Sequence, residues 1–120
     1  MYVQEEIMND CLFCEIANKE IPSEIVYEDD RVIAFRDIAP QAPVHIIVIP
    51  VEHFDCVLNV PAGNDIISHI HSVINRLAIK FDLAQKGFRI VNNCGEDGGQ
   101  TVKHLHYHLL GGREMGWPAG

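Results

Sequence analysis

Residues 98–112 read Gly-Gly-Gln-Thr-Val-Lys-His-Leu-His-Tyr-His-Leu-Leu-Gly-Gly. Histidines at 104, 106 and 108 alternate with Leu105 and Tyr107. A period of two belongs to a β-strand, so this stretch predicts a strand with three imidazoles on one face and Leu105, Tyr107 and Leu109 on the other. Neighbouring histidines on such a strand have Cα atoms ~6.6 Å apart, a spacing suited to one small anionic group. The glycine pairs Gly98-Gly99 and Gly111-Gly112 bracket the strand and permit tight turns and a close approach of backbone to ligand.

Three imidazoles on one face suit a nucleophilic histidine whose tautomer is fixed by a neighbour, with further donors for phosphoryl oxygens. They also suit a metal site that uses two of the three. One ion does not gather all three, because the outer pair lies about 13 Å apart at Cα on a regular strand.

The run His104-Leu105-His106-Tyr107-His108-Leu109-Leu110 resembles the His-x-His-x-His-x-x signature of the histidine triad (HIT) family, in which x is apolar. The likeness extends from about Cys11 to Gly120, through Tyr27-Glu28-Asp29-Asp30-Arg31, Phe35, Asp37-Ile38, Pro40-Gln41-Ala42-Pro43, His45, Ile49-Pro50, His53, Gly95, Asp97-Gly98-Gly99-Gln100 and Trp117-Pro118. This ordered series is similar to the Hint branch, the purine nucleoside phosphoramidases. The pattern is departed from at Arg36, Thr101, Lys103 and Gly116, where His, Ser, an aromatic and His are expected. These four positions bear on substrate and leaving-group preference.

The chain's 120 residues and 48% hydrophobic content suit one packed domain that needs no disulfides. A formal charge of −8 argues against a duplex or other nucleic-acid partner, while a single nucleotide phosphate is still acceptable to backbone N–H groups and histidines. The first ten residues carry Glu5, Glu6 and Asp10 and do not read as a secretory signal, and no run reaches the ~18 apolar residues of a membrane helix. Cys11 and Cys14 form one Cys-x-x-Cys, and Cys56 and Cys94 stand singly. Reduced thiols and a cytoplasmic location are the expectation.

Along the chain, Cys11 to Ala17 predicts a short helix capped by Asp10, with Leu12, Phe13 and Ile16 on its apolar side. Ser23–Tyr27 and Val32–Asp37 predict an antiparallel hairpin about an acidic turn. Val44–Ile49 reads as a central strand buried on both faces and stopped by Pro50, with His45 inside it needing a partner. Asn64 to Lys86 reads as the long helix, with Ile66, Ile70, Val73, Ile74, Leu77 and Phe81 inward, Gly87 as C-cap, and His69 and His71 exposed and idle. Phe88–Asn92 is a further strand. Residues 1–10 form an extension, and 11–120 a single domain.

The resemblance implies an α+β fold: a mostly antiparallel sheet of about five strands with one long and one short helix, continued across a homodimer. It implies cleavage of the P–N bond of purine nucleoside 5′-phosphoramidates through a nucleotidyl-histidine at His106. His108 and loop amides would hold the phosphoryl oxygens, Thr101 would assist the leaving group, the His104 carbonyl would set the His106 tautomer, and His45 would support the triad from behind. Phe13 and Ile16 would contact the purine, and Asp37, beside Ile38, the ribose. Asn93, Gly99, Gln100 and Thr101 would line the phosphate and leaving group. Cys-containing members further imply structural zinc held by Cys11, Cys14, His53 and His104, four ligands that leave no place for water. Two alternatives stand beside this reading: dinucleoside polyphosphate hydrolysis or nucleotidyl transfer by the same family, and a zinc-stabilised module that binds nucleotide without turnover.

Overall fold

Apolar side chains on both faces of Val44–Pro50 make that segment the middle of the sheet. The computed structural model describes residues 11–120. It contains α1 (Leu12–Ala17), β1 (Ile25–Glu28), β2 (Val32–Arg36), β3 (Val44–Pro50), a 3-10 turn (Val57–Asn59), α2 (Ile66–Lys80), β4 (Phe88–Val91) and β5 (Tyr107–Gly111). The five strands lie in the order β1-β2-β3-β5-β4, every pair antiparallel.

Alternation along the strands sorts the core into two layers. Val32, Ala34, Ile46, Val48, Tyr107 and Leu109 face α2 and pack on its Ile66, Ile70, Val73, Ile74 and Leu77 stripe. Ile33, Phe35, Ile47 and Ile49 face the other way and are covered by Phe13 and Ile16 of α1. α2 therefore covers the middle of one face. On the other face α1 is shorter, which leaves room beside it for His45 and His108.

Several expectations are corrected. The strand carrying the triad begins at Tyr107, so His104 and His106 precede it. The β3–β5 ladder ends at Val48–Tyr107. Two residues further Pro50 has no N–H to give, and the chain instead follows the 51–54 loop, where Leu105 N–H donates to the Phe54 carbonyl at 2.7 Å. Leu105 still packs with Tyr107 and Leu109, so the inside–outside alternation survives where the ladder does not. Pro50 ends β3 from within, paired to Val32.

The long helix stops at Lys80, well short of Lys86, with Phe81 as its C-cap. Asp82 takes a left-handed conformation (φ 61°). Its N–H bonds to the Ile79 carbonyl at 3.1 Å, and Leu83 N–H bonds to the Ala78 carbonyl at 2.8 Å, the paired closure of a Schellman motif. Gly87 closes a later turn onto Leu83. α1 is capped by the Cys11 sulfur, which accepts from Cys14 N–H at 3.3 Å. The expected cap, Asp10, lies outside the described residues, as does the whole 1–10 extension.

His69 is not idle. Its Nε2 bonds to Asp29 Oδ2 at 2.8 Å, and Tyr27 Oη donates to the same oxygen at 2.7 Å. Burial pushes the Asp29 carboxyl upward, but hydrogen bonds from Tyr27, the Arg31 and Val32 amides and His69 prevail and hold it at about 2. That carboxylate ties the β1–β2 turn to α2. His71 is exposed, and its ring stands edge-on to Tyr107 with centroids 5.3 Å apart.

Candidate functional site

The triad occupies the sheet face beside α1, and its members differ in burial. His104 is fully buried, His106 is 3% exposed and His45 6% exposed, while His108 is half-buried at the rim. The Phe13 ring stands edge-on to His106, centroids 5.0 Å apart, with His108 next to His106 at 5.1 Å. α1 thus sets the wall against which His106 is pressed.

The hydrogen-bond partners dictate the tautomers. His106 Nδ1 lies 2.7 Å from the His104 carbonyl, an acceptor only, so Nδ1 carries the proton and Nε2 keeps its lone pair. Gln41 N–H donates to His45 Nδ1 at 3.0 Å, which puts the His45 proton on Nε2. That proton faces His108 Nδ1 at 2.9 Å and Asp37 Oδ2 at 3.4 Å. His108 therefore carries its own proton on Nε2. The result is one bare nitrogen, on His106, beside one N–H donor, on His108.

Burial lowers the pKa of His106, with the His104 carbonyl and Asp37 opposing it. His108 falls to about 4, by burial first and then by the neighbouring His106 and His45 rings. Neutral imidazoles are thus the resting state near pH 7. An unfolded histidine takes up a proton near pH 6.5, whereas folded His108 refuses it until about pH 4. The unfolded chain binds more protons between these limits, so this contribution to stability is complete above pH 6.5 and is lost as the pH falls towards 4. Urea midpoints measured across that window should climb with pH, and His108→Asn should flatten the slope by up to about 1.4 kcal/mol per pH unit.

Other candidate residues fall around this pair. The Asp37 carboxylate accepts from Ala39 N–H at 2.7 Å while facing His45, and Ile38 beside it is 99% exposed. Phe13 and Ile16 are buried in the smaller core layer. Arg36 turns to the α2 side, pairing with Glu24 at 3.0 Å and lying over the Phe81 ring, away from the histidines. Thr101 and Lys103 are exposed on the loop before the triad.

That loop is held by its own side chains. Asn93 Nδ2 donates to the Gly98 carbonyl at 2.7 Å. Gln100 Oε1 accepts from Gly95 N–H at 3.0 Å, and its Nε2 donates to the Asp55 and Val102 carbonyls. The Gln100 amide therefore braces the loop. At Gly98 an added Cβ would sit 2.3 Å from the Cys94 carbonyl oxygen, a backbone atom. Gly98→Ala should displace the loop and lower stability by about 1–3 kcal/mol, read as a drop in the denaturation midpoint.

Sequence reasoning missed Asn92. Its Nδ2 donates to the His106 carbonyl at 2.9 Å, continuing the β4–β5 pairing by a side chain where the ladder ends. An amide just past an edge strand, opposite the start of the triad, was the available signal. Asn92 also looked like a strand residue, and periodicity says nothing about it.

A second cluster lies below the first. Cys11, Cys14, His53 and His104 each offer a ligand atom, all within 4.8 Å of one another. His104 Nε2 bonds to the Pro50 carbonyl at 2.9 Å and His53 Nε2 to Asp55 at 2.8 Å, so both Nδ1 atoms are bare. Those two lone pairs face each other at 3.1 Å, with Cys11 Sγ 3.3 Å from His104 and Cys14 Sγ 3.3 Å from His53. Two bare nitrogens at that distance repel unless a cation lies between them. Tetrahedral zinc places its nitrogens ~3.3 Å apart and N and S ~3.6 Å apart, close to what is seen, so the four residues fit zinc. A second group, Asp37, His45 and His108, is equally close, but the His45 proton already bridges it.

The sequence model of the HIT domain family matches residues 18–115. The chain belongs to the HIT family. This HIT protein is 47% identical over 117 residues to the 14 kDa zinc-binding protein of Brassica juncea, covering 92% of this chain and all of that one. It is 46% identical over 115 residues to Adenylylsulfatase HINT1 of Arabidopsis thaliana, covering 91% of this chain and 76% of that one. The names of these relatives place it with the Hint branch. The crystal structure of a HIT family hydrolase from Legionella pneumophila superposes with a TM-score of 0.90 at 45% identity, covering 92% of this chain and all of that one. The five-stranded antiparallel sheet with one long and one short helix is thus the HIT fold.

Proposed function

We propose that this HIT protein is a nucleotide-binding hydrolase that cleaves the P–N bond of purine nucleoside 5′-phosphoramidates. The carrying observation is the pair of tautomers: a bare His106 Nε2 next to a His108 Nε2–H. His106 Nε2 attacks the α-phosphorus, and the amine leaves with a proton. His108 donates to a phosphoryl oxygen, with the loop amides beside it and the Thr101 hydroxyl near the leaving group. Water then attacks the nucleotidyl-histidine and releases the nucleoside monophosphate. Formation of a positive charge on His106 is eased by its Nδ1–H bond to the His104 carbonyl and by Asp37 beyond His45. With His106 only 3% exposed, a phosphate reaches it past His108, and the Phe13 wall must yield to admit the ligand.

In this reading Asp37 accepts from the ribose hydroxyls, and Ile38, Phe13 and Ile16 border the base. Asn93, Gly99 and Gln100 shape the phosphate loop. Zinc on Cys11, Cys14, His53 and His104 supplies cross-linking, binding α1 and the 51–55 loop to the residue whose carbonyl orients His106. The proposal includes a homodimer in the cytoplasm. Among the described residues no helix is long and apolar enough to cross a membrane. β4 is a sheet edge, and Ile79, Phe88 and Trp117 are exposed apolar residues that a partner subunit would cover. Arg89 steers the tail by donating to the Gly116 carbonyl at 2.7 Å.

The Arabidopsis relative's name supports a second substrate, an adenylyl sulfate. Attack at the same phosphorus would then expel sulfate in place of an amine. Rapid mixing with adenosine 5′-phosphoramidate or with adenylyl sulfate, followed by intact mass measurement, tests both. A nucleotide-sized adduct on the peptide carrying 104–108 supports the mechanism, and the faster substrate decides between them. No adduct and no turnover with either would leave a binding module.

A further inference from the structure

The fold brings together one pair of nucleophilic side chains that neither the triad nor the metal cluster uses. Cys56 precedes the 3-10 turn, and its N–H and thiol both reach Asn59 Oδ1, at 3.2 and 3.4 Å. Cys94 opens the glycine-rich loop, and the Cys56 thiol near it pushes its pKa up. The Gln100 amide joins the two segments independently. It accepts from the N–H of Gly95, next to Cys94, and donates to the carbonyl of Asp55, next to Cys56, at 3.0 and 2.7 Å. Two hydrogen bonds and the width of one amide hold those backbone atoms within roughly 8 Å of each other. Both thiols are half-buried, so a small reagent reaches them. The metal cluster takes a different pair, Cys11 and Cys14.

We propose that Cys56 and Cys94 are a redox modification site, forming a reversible disulfide that locks the glycine-rich loop onto the 3-10 turn when the protein meets a low-molecular-weight disulfide. One cysteine thiolate attacks a sulfur of the oxidant, whose S–S bond breaks and releases one small thiol. The second cysteine then attacks the protein sulfur of the mixed disulfide and releases the other. Two protein S–H groups and one small disulfide become one protein disulfide and two small thiols. The segment being locked carries Asn93, next to Cys94, and Gly99, Gln100 and Thr101 beyond it.

The test uses the full-length, zinc-loaded protein incubated with oxidised glutathione, with zinc content measured throughout. The expected result is a mass loss of about 2 Da, a non-reduced Cys56–Cys94 peptide, unchanged zinc and full reversal by dithiothreitol. The melting temperature should rise by roughly 5–15 °C, since the bond closes a long loop in the unfolded chain. C56S and C94S should each stop at one glutathione adduct on the remaining cysteine. Free or singly adducted Cys56 and Cys94 in the wild type would overturn the proposal. So would a Cys11–Cys14 disulfide with zinc release as the sole product, or a Cys56–Cys94 bond that lowers the melting temperature. None of these readouts depends on which substrate the triad takes.

Discussion

Replacing His106 with alanine is expected to lower kcat on a nucleoside phosphoramidate by about four orders of magnitude or more, with nucleotide affinity changed only a few-fold. The reason is geometric. His106 Nε2 is the triad nitrogen whose lone pair is left free beside His108, because its Nδ1 is committed to the His104 carbonyl at 2.7 Å, His108 Nδ1 accepts from His45, and the bare His104 Nδ1 faces the Cys11, Cys14 and His53 cluster. Affinity should survive because the proposed binding groups, Asp37, the loop amides and the apolar wall, are untouched. Single-turnover kinetics with product-nucleotide binding would separate the two effects. Appreciable turnover in His106→Ala would move the nucleophile to His108 or to water and defeat the covalent route. His106→Asn guards against a cavity artefact beside Phe13, and it should be equally inactive.

Removing the metal should have the largest effect on stability. Purified protein is expected to carry one zinc per chain by elemental mass spectrometry, and Cys14→Ser or His53→Ala should lose it and be less stable by about 3 kcal/mol or more. Without a cation, two bare nitrogens 3.1 Å apart and two thiols are forced together in a site whose inner member, His104, is buried. His104 is fully buried there and cannot relieve the clash by protonating, since burial first and the nearby His53 and His106 rings hold its pKa at about 4. Chelation of the wild type should reproduce the loss, and zinc should reverse it. Turnover should fall in parallel, because the carbonyl that orients His106 belongs to His104, one of the four proposed ligands. A protein that holds no zinc and melts unchanged in chelator would show that the cluster is a hydrogen-bonded set of thiols and imidazoles.

Much of the fold follows from local periodicity. The 3.6-residue stripe from Ile66 to Leu77 and the unbroken apolar run of Val44–Ile49 define α2 and the central strand, because the helix buries that one stripe and the strand buries nearly all of its residues. Element ends were less legible. Asp82 terminates α2 in a left-handed conformation that glycine more often takes, so Gly87 drew attention too far along the chain. Pro50 shortens the ladder from the opposite strand, an effect that the triad's own sequence does not contain.

The site divides the same way. Alternation at 104, 106 and 108 was sufficient to put three imidazoles on one side of the chain, around Phe13, and Leu105, Tyr107 and Leu109 on the other, although only Tyr107 onward is a paired strand. Which nitrogen of each ring carries the proton depends on partners far away in sequence: Gln41 for His45, His45 for His108, Pro50 for His104. Asn92, the His69–Asp29 bond and the meeting of Cys56 with Cys94 are likewise products of packing. Sequence determined the residue types and their local spacing; tertiary structure alone decided their protonation and pairing, because a hydrogen bond is set by distance and direction between groups that the chain order leaves unrelated.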